Sequence, residues 1–266
     1  MALVHRKAAL AAVVALSIAF TSAWASSAPK SSKKAEKQAR KEARQGSPDA
    51  APNSLSEQER KAGFKLLFDG KSTDGWRGYK KDKPEGWEAV DGALKRMDPK
   101  APDLITKDQF EAFELLIDYK ISPGGNSGIM FHVAETNGPS YATGPEIQVQ
   151  DNVAGHDPQK SGWLYQLYKP DTDATKPAGE WNSMRIVIAP KGQKSSVTMN
   201  GTKYYDFELG SADWDAKVKQ SKFKDMPGFG KQTKGYICLQ NHGDEVEFRN
   251  IKVRVIEGAA SASASK

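Results

Sequence analysis

Residues 113–150 read FELLIDYKISPGGNSGIMFHVAETNGPSYATGPEIQVQ, a stretch of short apolar and alternating runs separated by Gly, Pro and Asn. This pattern predicts strands at Phe113–Ile121, Gly128–Val133 and Glu146–Gln150. Successive side chains of a strand point to opposite faces of the sheet. The stretch therefore predicts neighbouring β-strands that bury one face in a core and leave the other face polar.

The same pattern continues on both sides of this stretch. Asp91-Gly92 and Asn200-Gly201 have the composition of tight hairpin turns, and a turn or two of helix is predicted only near Ala212–Val218. The other predicted strands are Phe64–Phe68, Trp87–Val90, Ala93–Arg96, Asn182–Ala189, Ser195–Met199, Lys203–Phe207, Gly235–Gln240 and Glu247–Val255. Many short strands without crossover helices predict an all-β fold, a two-sheet antiparallel sandwich of the jelly-roll kind.

The first 25 residues have the order of a secretory signal peptide. A basic start precedes an apolar run from Ala8 to Phe20, and Ala23 and Ala25 form a small-residue cleavage pattern. The apolar run is shorter than the roughly 20 residues that a membrane-spanning helix needs. We therefore predict cleavage after Ala25 and export to the periplasm or the medium, with no transmembrane anchor.

The net charge of +6 belongs mainly to segments outside the predicted domain. Residues 26–60 carry eight Lys/Arg against five Asp/Glu and have no apolar face, which predicts a basic, low-complexity, disordered linker. Residues 61–257 form the predicted domain, and the Ala/Ser-rich residues 258–266 form a flexible tail. Because only +1 remains for residues 61–266, the domain lacks the concentrated positive charge of a nucleic-acid-binding surface.

A row of polar side chains follows one face of the third strand quoted above. Glu146, Gln148 and Gln150 share this face, and the residues between them are apolar. The same alternation in the preceding strand places His132 on the corresponding face, where it would form an acid–base pair with Glu146. A polar row is also typical of the wet face of a sandwich. Here Gly- and Asn-rich loops flank the row, and loops beside a rigid sheet commonly carry functional sites.

The loop after this row brings Asp151, His156 and Asp157 within seven residues. It lacks the several His or Cys ligands of a zinc site and the alternating carboxylates of a calcium loop. We therefore predict no metal or other cofactor. A metal held by this loop stays open as an alternative to Asx turns formed by its aspartates.

Aromatic residues follow the same loop. Flat aromatic faces suit the apolar faces of sugar rings, and we predict that Trp163 or Tyr165 faces a ligand. Trp181 is predicted to lie in the core, because most tryptophans of a β-sandwich are buried there.

Six motifs occur in order along the predicted domain. They are LFDGKSTDGW (67–76), NSGIMFH (126–132), TGPEIQVQDN (143–152), KPAGEWN (176–182), GYICLQNHG (235–243) and VEFRNI (246–251). Together they resemble the 3-keto-disaccharide hydrolase family over essentially all of residues 63–257. The resemblance implies a concanavalin A-like jelly-roll sandwich and action on glycosides whose sugar has been oxidised at C3.

The chemistry that this resemblance implies is an elimination followed by hydration. The 3-keto group acidifies the C2 proton, a base removes that proton, the C1 substituent leaves, and water then adds. Laminarinase-type β-glucanases share the sandwich but present carboxylates at i, i+2 and i+4 on one strand face. Here the row has one carboxylate, Glu146, followed by Gln148 and Gln150, which suits proton abstraction beside a ketone better than two-carboxylate hydrolysis.

Within this hypothesis Glu146 is the first candidate for general acid or base, and His132 is a second acid or base or a donor to the keto oxygen. His156 and Asp151 would serve the leaving group or the water. The predicted sugar-binding residues are Asn126, Gln148, Trp163, Tyr165 and His242. Two other classes stay open: a non-catalytic carbohydrate-binding module, and a structural or adhesion domain that docks through the basic linker.

Overall fold

The computed structural model describes residues 51–257, which contain thirteen strands and two α-helices. The strands are β1 (Lys65–Leu66), β2 (Trp76–Gly78), β3 (Trp87–Val90), β4 (Ala93–Arg96), β5 (Leu104–Thr106), β6 (Phe113–Ile121), β7 (Asn126–Val133), β8 (Glu146–Gln150), β9 (Asn182–Ile188), β10 (Ser195–Met199), β11 (Thr202–Phe207), β12 (Tyr236–Leu239) and β13 (Val246–Val255). The helices are α1 (Glu57–Lys61) and α2 (Ala212–Gln220), and a 3-10 turn spans Ser140–Ala142.

The strands pair in an antiparallel manner within two sheets. The larger sheet has the order β11-β10-β9-β6-β13-β4-β3, with β1 also paired to β13. The smaller sheet has the order β2-β5-β12-β7-β8. The two sheets form a sandwich of the jelly-roll class, which confirms the fold predicted from the alternation.

One apolar core lies between the sheets. Phe113, Ile117 and Phe248 enter it from the larger sheet, and Phe131 and Ile147 enter it from the smaller sheet, each at most 2% exposed. Burying a side chain of this size contributes about 1.5–3 kcal/mol. The period-two alternation of the strands thus buries the apolar side chains that stabilise the fold. It leaves the opposite side chains of the smaller sheet on that sheet's outer face.

The predicted strand bounds are reproduced for β3, β4, β6, β8 and β10. Two observed strands, β2 and β5, have no counterpart among the predicted ones. Each is three residues long, which is too short to show a periodicity, and each is defined by its pairing within the smaller sheet. The predicted helical turns are confirmed as the longer helix α2.

Residues 51–60 belong to the folded body, whereas their composition predicted that they would be part of the disordered linker. Ser56 caps α1 in a reciprocal capping box with Glu59. The Asn53 N–H donates to Asn250 Oδ1 over 2.7 Å, and the Asn250 N–H donates back to Asn53 Oδ1 over 2.8 Å. Lys252 on β13 donates to Glu59 over 2.8 Å. The charged composition of this segment concealed contacts that only the folded sheet provides.

The remaining predictions about domain organisation concern the two ends of the chain. The predicted signal peptide (1–25), the greater part of the linker and the tail (258–266) lie outside the described residues. Within residues 51–257, no helix is long and apolar enough to cross a membrane.

Candidate active site

A continuous row of side chains crosses the outer face of the smaller sheet. Glu146 on β8 pairs directly with Met130 on β7. Met130 pairs with Cys238 on β12, and Cys238 pairs with Ile105 on β5. Residues paired in this way point to the same side of an antiparallel sheet. The row therefore sets the Glu146 carboxyl at the edge of a fully buried apolar patch.

The Glu146 carboxyl is almost completely removed from solvent. The residue is 4% exposed, and its side chain passes directly over Gly128 on β7, where a Cβ would collide with the carboxyl. Burial raises the pKa of Glu146 to about 8, although the nearby Lys222 ammonium acts in the opposite direction. The carboxyl can therefore exchange a proton near neutral pH, as a general acid or base must.

A cation and an aromatic ring lie beside this carboxyl. The Tyr165 N–H donates to the Glu146 carbonyl over 2.9 Å, so the segment after the loop runs along β8. Lys222 Nζ lies 3.8 Å from the centroid of the Tyr165 ring. The Tyr165 hydroxyl donates to Asp157 Oδ2 over 2.7 Å. After burial, the charges of Lys222 and Asp157 are among the influences on the pKa of Glu146, which places both within electrostatic reach of it.

A second carboxyl, that of the half-buried Asp103, lies on the same face. Burial raises its pKa, and hydrogen bonds from Ser140 and Asn241 and the charge of His242 oppose this rise. The Ser140 hydroxyl donates to Asp103 Oδ2, and the Asn241 N–H donates to Oδ1 over 2.9 Å. Asp103 thus holds the loop that contains Ser140 and the loop that contains Asn241. The second loop brings the exposed His242, a predicted sugar-binding residue, to the edge of the face.

The polar row of β8 lies on one face as expected, but its amides are buried rather than solvent-facing. Gln150 Nε2 donates to the carbonyls of Asp157 and Gln159 and so shapes the loop. Gln148 Nε2 and Asn126 Oδ1 have no hydrogen-bond partner within residues 51–257. A buried polar group without a partner is costly in a native protein. The Gln148 amide is consequently a candidate donor to a bound ligand next to Glu146.

His132 is separated from Glu146, so the prediction that the two share one face is wrong. A β-bulge sets Phe131 and His132 together opposite one residue of β12, and His132 adopts a left-handed φ of 53°. The extra residue breaks the alternation on which the prediction relied. The imidazole packs edge-on against Phe113 and Phe131, and Nε2 lies 2.6 Å from the Glu111 carbonyl oxygen. Burial lowers the pKa of His132.

The loop residues Asp151 and His156 are not brought to the Glu146 carboxyl. Asp151 accepts hydrogen bonds from the N–H groups of Gly124 and Val153 over 3.0 and 2.9 Å, and it therefore forms an Asx turn. Burial acts to raise the pKa of Asp151, but these hydrogen bonds outweigh it and hold the pKa below its usual value. His156 is exposed. Among residues 51–257, no group of three His, Cys, Asp or Glu side chains has the geometry of a metal site.

The structure places the two tryptophans for which predictions were made, Trp163 and Trp181, in different surroundings. Trp163 is half-buried and lines an open groove of about 610 Å³ next to the segment that pairs with β8. Trp181 is not a core residue, because it lies half-buried on the outer face of the larger sheet. The Arg249 guanidinium stacks 4.0 Å from its ring centroid, and Lys120 Nζ lies 5.0 Å from it. These contacts make Arg249 a structural residue of that sheet.

Sequence reasoning missed two charged residues of this site. Lys222 lies in an irregular stretch between α2 and β12, and Asp103 directly precedes the three-residue strand β5. Neither stretch has a periodicity or motif that marks a charged residue as special. Their positions depend on the packing of segments that are distant in sequence.

The antiparallel jelly-roll sandwich and the similarity of the chain to a named hydrolase define a carbohydrate-active enzyme of the glycoside hydrolase type. The chain belongs to the family of the 3-keto-alpha-glucoside-1,2-lyase-like domain, whose profile matches residues 63–254. This match confirms the resemblance drawn from the six motifs.

Three known proteins are similar to this chain over most of its length. A 3-keto-disaccharide hydrolase from Bacteroides thetaiotaomicron is 32% identical over 233 residues, which cover 73% of this chain and 79% of that protein. A crystal structure from Parabacteroides distasonis, provisionally named a glycosyl hydrolase, has 32% identity and a TM-score of 0.72 and covers 78% of this chain and 100% of that one. A second such structure from the same organism has 30% identity and a TM-score of 0.56 and covers 73% and 99%.

Proposed function

We propose that the protein hydrolyses 3-keto-disaccharides or related 3-keto-glycosides with Glu146 as its general acid–base group. The observation that carries this proposal is the single buried carboxyl of β8, whose pKa burial raises to about 8, beside the Lys222 ammonium. The Bacteroides thetaiotaomicron relative, named a 3-keto-disaccharide hydrolase, supports the choice of substrate class.

The reaction begins at the carbon next to the ketone. The Glu146 carboxylate removes the C2 proton, and the electron pair of the C2–H bond forms an enolate whose charge rests on the C3 oxygen. The enolate expels the C1 oxygen substituent, which takes up a proton, and leaves a C1=C2 double bond conjugated with the ketone. Water then adds at C1 and a proton returns to C2, so that the net reaction is hydrolysis of the glycosidic bond.

The environment of Glu146 suits the first step. A carboxylate whose conjugate acid has a pKa near 8 is a stronger base than a solvated one, and acid–base catalysis is most effective when the catalytic pKa lies near the working pH. The Lys222 ammonium above the Tyr165 ring supplies positive charge for the enolate oxygen. The unpaired Gln148 Nε2 would donate to a sugar oxygen in the same place.

A conventional pair of catalytic carboxylates is less well supported. Glycoside hydrolysis by two carboxylates needs a second free carboxyl roughly 5–9.5 Å from the first. The next two outward side chains of β8 are the amides Gln148 and Gln150. The nearby Asp103 accepts from Ser140 and Asn241, and Asp157 accepts from Tyr165. Both carboxylates are thus committed to hydrogen bonds within the protein.

The test is turnover of a 3-keto-disaccharide by the purified chain. Glu146→Gln should lower kcat by about 100-fold or more, the range expected for loss of an acid–base group. Glu146→Gln should also abolish exchange of the C2 hydrogen with deuterated solvent. The exposed His156→Ala variant is the control and should retain wild-type rates. Full activity of Glu146→Gln would refute the role of this carboxyl, and saturable sugar binding without any turnover would instead favour a binding module.

We further propose that the chain is exported and acts without a metal or other cofactor. The basic start, apolar run and Ala23-Trp24-Ala25 pattern support export. Mass spectrometry of protein recovered from the native host should find Ser26 as the first residue, and an intact Met1 would contradict cleavage. Turnover should be unchanged after exhaustive chelation, and loss of activity that a divalent cation restores would contradict the second point.

A further inference from the structure

The open groove beside the candidate active site is not used by the reaction described above. Its lining includes Gln159, Trp163, Gln166, Lys169, Lys217 and Gln220. The groove has a volume of about 610 Å³, which is within the range of small-molecule sites. It combines one indole, three primary amides and two ammonium groups.

The groove adjoins Glu146 through the segment that pairs with β8. The Tyr165 N–H donates to the Glu146 carbonyl, and the Gln148 N–H donates to the Trp163 carbonyl, both over 2.9 Å. Leu164 bridges Ile147 and faces the core, so its two neighbours point to the outer side. Trp163 therefore lies two strand positions from the catalytic level, about 7 Å at the usual strand rise, a separation comparable with one sugar ring.

The polar groups of the groove present donors. Gln159 Oε1 accepts from the Gln166 N–H over 2.9 Å, and Gln166 Oε1 accepts from the Lys222 N–H over 2.8 Å. Both amide oxygens are thus occupied, and the NH2 groups are left to a ligand. The bond from Lys222 also ties the groove directly to the residue assigned to the enolate oxygen.

The charged side chains of the lining are both lysines, and the Asp213 carboxylate beside Lys217 offsets one of the two positive charges. Lys169 Nζ lies 5.7 Å from the centroid of the Trp163 ring. Lys217 lies 5.0 Å from the Tyr168 ring and only 3.7 Å from Asp213, whose other oxygen accepts from the Tyr168 hydroxyl. None of the lining side chains named above is acidic. A ligand that carries a negative charge is therefore favoured over a neutral one.

We propose that this groove is the binding subsite for the leaving-group sugar and that it selects a sugar bearing an acidic substituent, a uronate. The indole of Trp163 stacks on the sugar ring, the glutamine amides donate to its oxygens, and Lys169 with Lys217 pairs with the carboxylate. This inference rests on the proposed function, because it takes the scissile bond to lie at Glu146.

Binding can be measured without catalysis. An ordinary glucosyl-glucuronate disaccharide has no keto group and is not turned over, so calorimetry on the full chain reports affinity alone. We expect tighter binding than for the matching glucosyl-glucose disaccharide, with the difference shrinking as salt is raised. Trp163→Ala should weaken binding of both sugars about tenfold, as for a buried aromatic anchor. The Lys169→Gln and Lys217→Gln double variant should weaken only the acidic one, by about fivefold.

Controls separate loss of the subsite from loss of folding. Trp181→Ala removes an indole from the opposite sheet and should leave both affinities unchanged. The exposed Gln220→Ala variant should weaken binding moderately without lowering Tm. Equal affinity for the acidic and neutral sugars, or no effect of Trp163→Ala in a protein with native circular dichroism, would overturn the proposal.

Failure of the proposed function would look different. If Trp163-dependent binding of the acidic disaccharide is found but 3-keto-disaccharides are not turned over, the subsite stands and the reaction is wrong. If 3-keto-disaccharides are turned over and substitution of Trp163, Lys169 and Lys217 leaves the KM unchanged, the proposed reaction is supported and the proposed subsite is wrong. For a uronate-bearing 3-keto-disaccharide we expect the variants to raise KM much more than they lower kcat.

Discussion

Glu146 shows how one residue can be unfavourable for folding and useful for chemistry. A carboxylate removed from water without a direct ionic partner is disfavoured, so the buried group holds its proton up to a pH near 8. Gly128 is what permits the placement, because any side chain there would occupy the space of the carboxyl. The protein thus keeps a carboxyl with the basicity that the proposed abstraction of a proton beside a ketone requires.

The rate should follow the ionisation of Glu146. If the carboxylate is the base, kcat/KM should rise with pH and level off above about 8, where the group is ionised. Lys222→Met removes a cation that favours the carboxylate, so the pKa of Glu146 should increase and the rising limb should move to higher pH. A pH profile of both proteins checks this. A limb that does not move, or moves to lower pH, would contradict electrostatic coupling between the two residues.

Stability should depend on the same group. The pKa of Glu146 is higher in the folded protein than its ordinary value of 4.5. Between these two values the unfolded chain loses the proton and the folded protein keeps it, so stability is lost as pH rises. Glu146→Gln removes the titrating group and therefore this loss of stability at higher pH. The variant should match the wild type near pH 4.5 and exceed it by a few kcal/mol above pH 8, at about 1.4 kcal/mol for each pKa unit.

Chemical denaturation at several pH values measures this difference. A constant gap between the two proteins from pH 4.5 to 8 would show that the pKa of Glu146 is not raised by folding. Because the comparison is between two proteins at the same pH, titrating groups that do not interact with Glu146 cancel.

At the scale of elements, the connection between β7 and β8 covers the outer face of the smaller sheet. Arg77 on β2 makes a bidentate pair with Glu135 of this connection, at 2.7 and 2.9 Å. The Tyr79 hydroxyl donates to the Gly138 carbonyl over 3.1 Å, and Ser140 donates to Asp103. One loop is thereby fixed to two other strands, and it keeps the apolar patch next to Glu146 dry.

Ser140→Ala tests this fixation. The change leaves the half-buried Asp103 carboxyl without its hydroxyl donor, which should cost about 1–3 kcal/mol of unfolding free energy. The pKa of Asp103 should also rise further above its usual value, since the Ser140 bond lowers it. Urea denaturation measures the first effect. Asn137→Ala, an exposed change in the same connection, is the control and should cost less than about 0.5 kcal/mol.

At the scale of the whole molecule, the sandwich extends beyond the region that matches the family. Residues 51–62 precede the matched range and close over β13 through Asn53, α1 and Glu59. Lys252 is 8% exposed and pairs with Glu59. The N-terminal segment thus packs against the larger sheet and gives a nearly buried cation its counter-ion.

Truncated chains test whether residues 51–62 stabilise the folded domain. A chain that starts at residue 51 keeps the contacts of Asn53 and Glu59 with the sheet and serves as the reference. A chain that starts at residue 63 leaves Lys252 unpaired and should lose about 3 kcal/mol or more, as expected when one member of a buried ion pair is removed. Thermal or urea unfolding of the two chains compares them directly. Equal stability would show that residues 51–62 add nothing to the fold.

The fold class, the bounds of five strands and the shared face of Glu146 and Gln148 could all be predicted from the amino-acid sequence. Alternation made this possible because it is a local property, and because a strand with one apolar face can be buried in only one way. The six motifs also identified the family, and the lone carboxylate in the polar row of β8 was enough to single out Glu146.

The neighbours of Glu146, in contrast, are set by tertiary packing. A single inserted residue in β7 turned His132 away, and the distant residues Lys222 and Asp103 arrived by packing of segments without periodicity. The raised pKa of Glu146 likewise comes from burial beneath other segments, which no local pattern encodes. Alternation fixes the direction of a side chain within its own strand, whereas its neighbours and its contact with water depend on how the strands and loops assemble.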